Sequence, residues 1–226
     1  MKAMESRPWL PYVTPFTIYA LFLAVQSARN RLWVYPLATV AVGSSLWMLR
    51  GYYEELRSPM WRRATSQPRT GSEAGGAAVT WILAIAVGLV AIAIWIGIDP
   101  YYTKLENTLA FDPSGKWLFI GFRVAGAVIA VPLMEELFWR AFLIRWFIDG
   151  DFKRVPVGTF TWLSFALTVA LFGMEHREWL AGLICGALYN WLYYKRKDVF
   201  ACVVAHAVSN AALAVWVLTT GDWKLW

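Results

Sequence analysis

The chain has 226 residues, of which 59% are hydrophobic, 17% aromatic and 16% charged. Soluble domains carry roughly 25% charged residues, so this composition is typical of a membrane protein. The net charge of +6 does not indicate a nucleic-acid partner, because the basic residues lie mostly in loops and no nucleic-acid-binding motif is present. Cys185 and Cys202 fall within apolar segments without ligand spacing, which favours small core residues over a disulfide or a metal site.

Seven apolar segments approach the length that crosses a bilayer, which is about 20 mostly apolar residues. We predict spans at about 10–28, 32–49, 77–98, 117–147, 157–176, 179–194 and 199–219. The fourth is too long for one straight crossing, and a kink at Pro132 would divide it into a span and a separate active-site helix. The predicted fold is therefore all-α, a polytopic transmembrane helical bundle of about seven to eight spans.

Two regions of the chain differ in the motifs they contain. Residues 1–116 hold about three predicted spans and no motif, with a basic interfacial loop and a Gly/Ser/Ala-rich linker at 50–76. Residues 117–226 hold the remaining spans and the polar residues discussed below. Thirteen Lys and Arg residues lie on the side of the N-terminus and six on the other side, which favours a cytoplasmic N-terminus.

Two adjacent carboxylates, Glu135 and Glu136, lie inside the fourth apolar segment together with Arg140. A charge at bilayer depth costs on the order of a few kcal/mol, so it indicates a functional site by default. On a helix Glu136 and Arg140 are i,i+4 neighbours and can pair, whereas Glu135 is rotated by about 100° and stays available for chemistry. The alternative is a buried ion pair with a structural role only.

Both histidines of the chain also occur in apolar segments. His176 closes the fifth segment, four residues after Phe172, whose ring can pack against the imidazole. His206 lies inside the seventh segment, and Asn210 shares its helix face, so both can face one cavity. A single histidine of this kind is more often a core residue, but two of them with a Glu pair and an Asn are hard to explain as packing.

These residue types suit the hydrolysis of an amide bond. A carboxylate can take a proton from water, and a histidine can share that water or protonate the leaving amine. Another histidine and the Asn amide can donate hydrogen bonds to the oxyanion of a tetrahedral intermediate. Alternatively, Glu135, His176 and His206 ligate a divalent metal such as zinc, and the spacing does not separate the two mechanisms. The motifs Gly-x-Ser-x-Gly and His-Glu-x-x-His are absent.

Three short motifs occur in order on successive predicted helices, and together they resemble the signature motifs of the CPBP intramembrane endopeptidases: Glu135-Glu136-x-x-x-Arg140, Phe172-x-x-x-His176 and His206-x-x-x-Asn210. That family includes type II CAAX prenyl endopeptidases and bacterial bacteriocin-processing and self-immunity proteins. The resemblance, over about residues 117–219, implies that Glu135 activates water with His176 as its partner. It also implies that His206 and Asn210 bind the oxyanion or position the water. Glu136 and Arg140 would then hold the site together.

Longer stretches around these motifs resemble a bacterial branch, the CAAX prenyl protease-related proteins found with exosortase and PEP-CTERM systems, at 135–140, 172–176, 179–182 and 205–210. This resemblance implies a multi-pass protein of the bacterial inner membrane. The expected partners are membrane lipid and a membrane-associated protein or peptide substrate, with no nucleic acid. No cofactor is expected apart from the alternative zinc ion.

A second hypothesis is a non-proteolytic immunity or scaffold protein that uses the same helices to bind a membrane peptide or partner. It predicts that function survives the loss of Glu135 and His176. One geometric expectation also opposes the protease hypothesis. A fifth span entering at Gly158 would place His176 about 27 Å along its helix, far from a Glu135 near the inner end of the fourth span.

Overall fold

The computed structural model describes residues 6–57, 71–105 and 111–226, with the side chains of 71–75 excepted. The main helices are α1 (Leu10–Val25), α2 (Arg31–Leu49), α3 (Gly71–Ile98), α4 (Trp117–Trp146), α5 (Trp162–Glu175), α6 (Trp179–Arg196) and α7 (Val199–Thr220). Short 3₁₀ turns lie between them, and no strand occurs in the described ranges. The prediction of an all-α bundle is confirmed.

Within the described part of the chain, four helices are long and apolar enough to cross a membrane: Arg31–Tyr52, Gly76–Tyr101, Trp117–Trp146 and Val199–Thr220. Two further helices, α1 and α5, are apolar but shorter. Large apolar side chains such as Trp33, Met48 and Ile82 are exposed on the outside of the bundle, as expected where lipid is the solvent. The fold is therefore that of a multi-pass membrane protein.

The linker predicted at 50–76 is shorter than expected, because α3 already begins at Gly71. Its residues 58–70 lie outside the described part of the chain. The residues before them do not lie free at the interface but dock onto the bundle. Tyr53 is 3% exposed, and its hydroxyl donates a hydrogen bond to the carbonyl oxygen of Pro11, 2.9 Å away.

The fifth helix begins at Trp162, five residues later than predicted. Gly158 adopts a positive φ of 83° in the preceding turn, and the Thr161 hydroxyl caps the helix by accepting a hydrogen bond from the Ser164 backbone N–H. His176 therefore lies about 21 Å from the start of α5, while Glu135 lies about 16 Å from the C-terminal end of α4. The two residues also line one cavity, which removes the predicted geometric conflict.

Helix α4 is continuous through Pro132, where the sequence predicts two helices. π-helical turns occupy Gly126–Ala130 and Leu137–Leu143, on either side of the α-helical turn Val131–Glu136. Proline lacks an N–H and its ring clashes with the carbonyl four residues earlier, and the wider π turn before Pro132 relieves both problems. Because π-bulges often occur at functional sites, their position beside the Glu pair is informative.

Small residues allow α5 and α6 to approach closely. A Cβ added at Gly182 would lie 3.0 Å from the Cα of Gly173 and 3.3 Å from the Cβ of His176. Helix α6 also packs against α3, and α7 packs against α3 and α4. Glycines at such crossings let backbones meet without a side chain between them, so this contact holds His176 against the centre of the bundle.

Candidate active site

Arg140 and Glu136 form a buried ion pair at the centre of the bundle. Nη1 of Arg140 lies 3.2 Å from Oε1 of Glu136, and the two residues are 1% and 0% exposed. The remaining donors of the guanidinium reach α6: Nε donates to Oδ1 of Asn190 at 3.2 Å, and Nη2 donates to the carbonyl oxygen of Gly186 at 3.3 Å. The predicted i,i+4 pair is present, and it also joins α4 to α6.

Asn190 is a member of this network that the sequence analysis missed. Its Nδ2 donates to Oγ1 of Thr168 on α5 at 2.9 Å, and the residue is fully buried. Asn190 therefore connects the arginine to a third helix. The sequence could have indicated Asn190, because burying an Asn within an apolar span costs free energy unless its amide is hydrogen-bonded. The same reasoning selected Asn210.

His206 is held by the same carboxylate as Arg140. Its Nδ1 lies 2.9 Å from Oε1 of Glu136, and because an ionised carboxylate only accepts, Nδ1 bears the proton. The imidazole stacks on the ring of Tyr189 with centroids 5.3 Å apart, and the Tyr189 hydroxyl is 2.6 Å from Oγ of Ser209. Tyr189 gave no signal in the sequence, since an aromatic residue in an apolar helix is ordinary.

His176 is oriented by its own helix. Its Nδ1 lies 2.7 Å from the carbonyl oxygen of Phe172, and a carbonyl can only accept, so Nδ1 bears the proton and Nε2 keeps its lone pair. The Phe172 ring lies 4.8 Å from the imidazole, as the sequence predicts, and Trp95 of α3 packs edge-on at 5.4 Å. The imidazole therefore presents a basic nitrogen in a fixed orientation.

Phe172 brings the three motifs together. Its ring centroid lies 4.7 Å from Cζ of Arg140, 4.8 Å from the His176 ring and 6.3 Å from the His206 ring. Phe172 itself is 1% exposed. An aromatic ring at this point attracts the guanidinium through its negative face and excludes water from one side of the site.

Glu135 lines a cavity and is not part of the Glu136–Arg140 ion pair. It is 4% exposed, and its Oε2 is buried without a hydrogen-bond partner among the described residues. Oε2 of Glu136 is also buried without a hydrogen-bond partner among the described residues. Buried polar atoms are almost always paired, and an unpaired carboxylate oxygen is costly, so these two oxygens indicate a place where a ligand or water is held.

Asn210 contacts the π-helical turn of α4. Its Nδ2 donates to the carbonyl oxygen of Ala127, 2.7 Å away. One of the two amide N–H bonds is thereby committed to joining α7 and α4, and the second remains for another acceptor.

The cavity has a volume of about 670 Å³, and its lining includes Glu135, His176, His206 and Asn210. Glu136 and Arg140 lie behind that wall and support it through His206. The N-terminal region also contributes, with Tyr19 on α1, Tyr35 on α2 and Trp95 on α3. The site is therefore shared by both parts of the chain.

The predicted zinc ligands do not form a common coordination point. Among the described residues, no three His, Cys, Asp or Glu side chains lie close enough together to hold a metal ion. Glu135, His176 and His206 line one cavity without converging on one position. Zinc binding stays a prediction, and no step below depends on it.

The architecture is that of a multi-pass helical membrane protein with a polar cavity enclosed by its helices. The family model of type II CAAX prenyl endopeptidase Rce1-like matches residues 116–212. The matched segment contains Glu135, Glu136, Arg140, His176, His206 and Asn210. This match supports endopeptidase activity in the membrane. Neither the curated proteins nor the solved structures include one that matches this chain.

Proposed function

We propose that the protein is an intramembrane endopeptidase that hydrolyses a peptide bond in a membrane-associated protein or peptide. The observation that supports this most is the unpaired carboxylate of Glu135 in the same cavity as the lone pair on Nε2 of His176. Water activation needs a base within reach of the water and a second group to orient it. Glu135 and His176 supply these two groups.

In the first step, Glu135 accepts a proton from water while the water oxygen forms a bond to the carbonyl carbon of the substrate. Nε2 of His176 accepts a hydrogen bond from the same water and orients it. The electrons of the carbonyl double bond move to oxygen, giving a tetrahedral intermediate with an oxyanion.

His206 differs from His176 because its Nδ1 proton faces a carboxylate rather than a carbonyl oxygen. The Glu136 carboxylate holds the His206 ring through Nδ1, and in this step His206 acts in its imidazolium form, which has a second N–H at Nε2. That N–H and the remaining amide N–H of Asn210 donate to the oxyanion. Glu135 then returns its proton to the leaving nitrogen as the C–N bond breaks, which restores the carboxylate.

We also propose the membrane in which the protein lies and its orientation there. The resemblance to the exosortase-associated branch supports a bacterial inner-membrane protein, and the distribution of Lys and Arg supports a cytoplasmic N-terminus. Reporter fusions at the N-terminus and in the loop before α4 test the orientation. Only the N-terminal fusion should report the cytoplasm.

The experiment that tests the proposed activity compares protein termini across the membrane proteome of cells carrying wild type, Glu135→Gln, Glu54→Gln or a deletion. Glu54 is exposed and lies outside the cavity, so it is a matched control for the same chemical change. We expect a set of termini that disappears in the deletion and in Glu135→Gln and persists in Glu54→Gln, at equal protein levels.

The non-proteolytic hypothesis gives a different result. If Glu135→Gln cells keep every terminus of the wild type while the deletion strain still shows its loss-of-function phenotype, the protein acts as a binder or scaffold. The hydrolytic assignment would then be wrong.

A further inference from the structure

Four basic side chains line the outer part of the cavity, toward the end of the bundle where α2 and α4 begin: Arg31, Arg123, Arg177 and Lys224. Two of them are neutralised by acidic partners. Arg177 pairs with Glu178, and Nζ of Lys224 lies 3.5 Å from Asp99. These two pairs contribute little net charge to the cavity.

Arg31 and Arg123 contact aromatic rings instead. Cζ of Arg31 lies 4.6 Å from the ring centroid of Phe111, and Cζ of Arg123 lies 4.7 Å from that of Tyr35 and 5.4 Å from that of Trp226. Neither guanidinium forms an ion pair with a carboxylate among the described residues. Their charges are therefore uncompensated within that part of the chain.

Two of these rings, those of Phe111 and Tyr35, belong to one cluster through Phe119. Phe119 packs edge-on against Phe111 with centroids 5.8 Å apart and against Tyr35 with centroids 6.2 Å apart. A guanidinium that lies over an aromatic face keeps its N–H donors in its own plane, where they can bind a carboxylate in bidentate fashion. The cluster thus orients two arginines without consuming their charge.

We propose that Arg31 and Arg123 form a subsite that binds a carboxylate of the substrate peptide. This inference rests on the proposed endopeptidase function and specifies which substrates it accepts. A peptide carboxylate is favoured over a lipid phosphate because both arginines line the same cavity as Glu135 and His176. Charge-assisted bidentate pairs are among the stronger hydrogen-bonded contacts, so the subsite selects substrates.

The helix geometry gives the distance between the subsite and the reacting bond. Arg123 precedes Glu135 by twelve residues on α4, which corresponds to about 18 Å. An extended peptide covers this distance in about five residues at roughly 3.3 Å per residue. The scissile bond therefore lies about five residues from an Asp or Glu side chain or from the C-terminal carboxylate of the substrate.

The test uses apolar peptides of about 20 residues, the length of one span, with a randomised centre, in phosphatidylcholine vesicles. In one kind of peptide pair, the fifth residue on one side of the centre is Glu in one peptide and Gln in its twin. In a further pair the chain ends at that position, with a C-terminal carboxylate in one peptide and a C-terminal amide in its twin. Binding is measured with the Glu135→Gln protein, which does not turn substrate over, and cleavage is measured with the wild type.

We expect Glu135→Gln protein to bind at least one acidic peptide type about tenfold more tightly than its neutral twin, equivalent to about 1.4 kcal/mol. Adding Arg31→Gln and Arg123→Gln should reduce that ratio to about one. Adding Arg50→Gln should leave it unchanged, because Arg50 also lies over an aromatic ring, that of Trp47 at 4.0 Å, but outside the cavity. Comparing the Glu/Gln peptide pair with the acid/amide peptide pair distinguishes binding of a side-chain carboxylate from binding of a terminal carboxylate.

A ratio near one for every pair, or a ratio that survives the two arginine substitutions, would overturn the subsite. The subsite would also be overturned if the two arginine substitutions weakened binding of both twins equally, and only when phosphatidylglycerol is added to the vesicles. In that case the arginines would bind lipid. Glu135-dependent cleavage without charge preference refutes the subsite alone. Charge-selective binding without cleavage by the wild type refutes the protease alone.

Discussion

Two buried carboxylate clusters in the described part of this protein both pair a glutamate with an arginine, but they differ in how fully they are hydrogen-bonded. Near the end of the bundle where α1 begins and α4 ends, Oε1 of Glu55 lies 2.6 Å from Nη1 of Arg145 and 3.2 Å from Nζ of Lys153. Its Oε2 accepts a hydrogen bond from the Tyr12 hydroxyl at 2.7 Å. Both oxygens are paired, and the cluster joins the chain after α2 to α1 and α4.

The cluster at the centre of the bundle leaves two carboxylate oxygens unpaired, on Glu135 and Glu136. A buried polar network stabilises a fold when every member has a partner, and it costs free energy when some do not. We infer that the Glu55 cluster is a structural joint, whereas the central cluster keeps binding capacity for water and substrate. The predictions below test this division.

The largest effect is expected from His176→Asn. Asparagine keeps a donor for the Phe172 carbonyl but lacks the basic nitrogen that histidine has at Nε2. We expect turnover to fall by about 10²- to 10⁴-fold, the range for loss of a positioned acid–base group. Thermal unfolding of the same sample should remain close to the wild type. Turnover within tenfold of the wild type would remove His176 from the mechanism.

Arg140→Ala should have the largest effect on stability. It leaves the Glu136 carboxylate buried without its cation, which we expect to lower the free energy of unfolding by about 3–5 kcal/mol. Adding Glu136→Gln removes the uncompensated charge, so the double variant should be more stable than Arg140→Ala alone. Denaturant titration in micelles measures both. If the effects of the two substitutions on the free energy of unfolding simply add, Glu136 and Arg140 are not coupled.

A smaller effect is expected from Glu55→Gln, with a dependence on pH. Burial alone would raise the pKa of the Glu55 carboxyl, but Lys153 and the hydrogen bonds from Tyr12 and Arg145 outweigh it, so the pKa lies below its ordinary value of 4.5. The stabilisation is therefore complete above that value and is lost as the pH falls through the pKa of the folded protein. We expect Glu55→Gln to cost about 1.5–3 kcal/mol at neutral pH.

Unfolding measured at pH 7 and at acidic pH checks this prediction. The difference between the wild type and Glu55→Gln should shrink as the pH falls, and activity per folded molecule at pH 7 should be retained. A difference that is constant across this range would mean that the Glu55 charge does not stabilise the joint.

The sequence predicts the contacts that depend on spacing within one helix. The Glu136–Arg140 pair, the packing of Phe172 on His176 and the common face of His206 and Asn210 all follow from the i,i+4 relation. Asn190 was open to the same cost argument as Asn210 and was missed. Apolar periodicity does not give the start of α5, which depends on a cap at Thr161 and a turn at Gly158.

Contacts between distant helices were not predictable from spacing. Nothing in the sequence indicates that Tyr189 stacks on His206 or that Trp95 packs on His176, since both are ordinary residues of apolar spans. The sequence also does not indicate the two π-helical turns of α4, Gly126–Ala130 and Leu137–Leu143. The role of Arg31 and Arg123 in the cavity wall became visible only with the tertiary structure.

The most direct test of the division between the two clusters measures peptide cleavage and thermal unfolding on the same purified samples of wild type, Glu135→Gln and Glu55→Gln. We expect Glu135→Gln to lose cleavage by about 100-fold or more and to unfold no earlier than the wild type, because Glu135 forms no ion pair among the described residues that the substitution would break. Glu55→Gln should unfold at a lower temperature and keep its cleavage rate per folded molecule. Cleavage at the wild-type rate by Glu135→Gln would contradict the account.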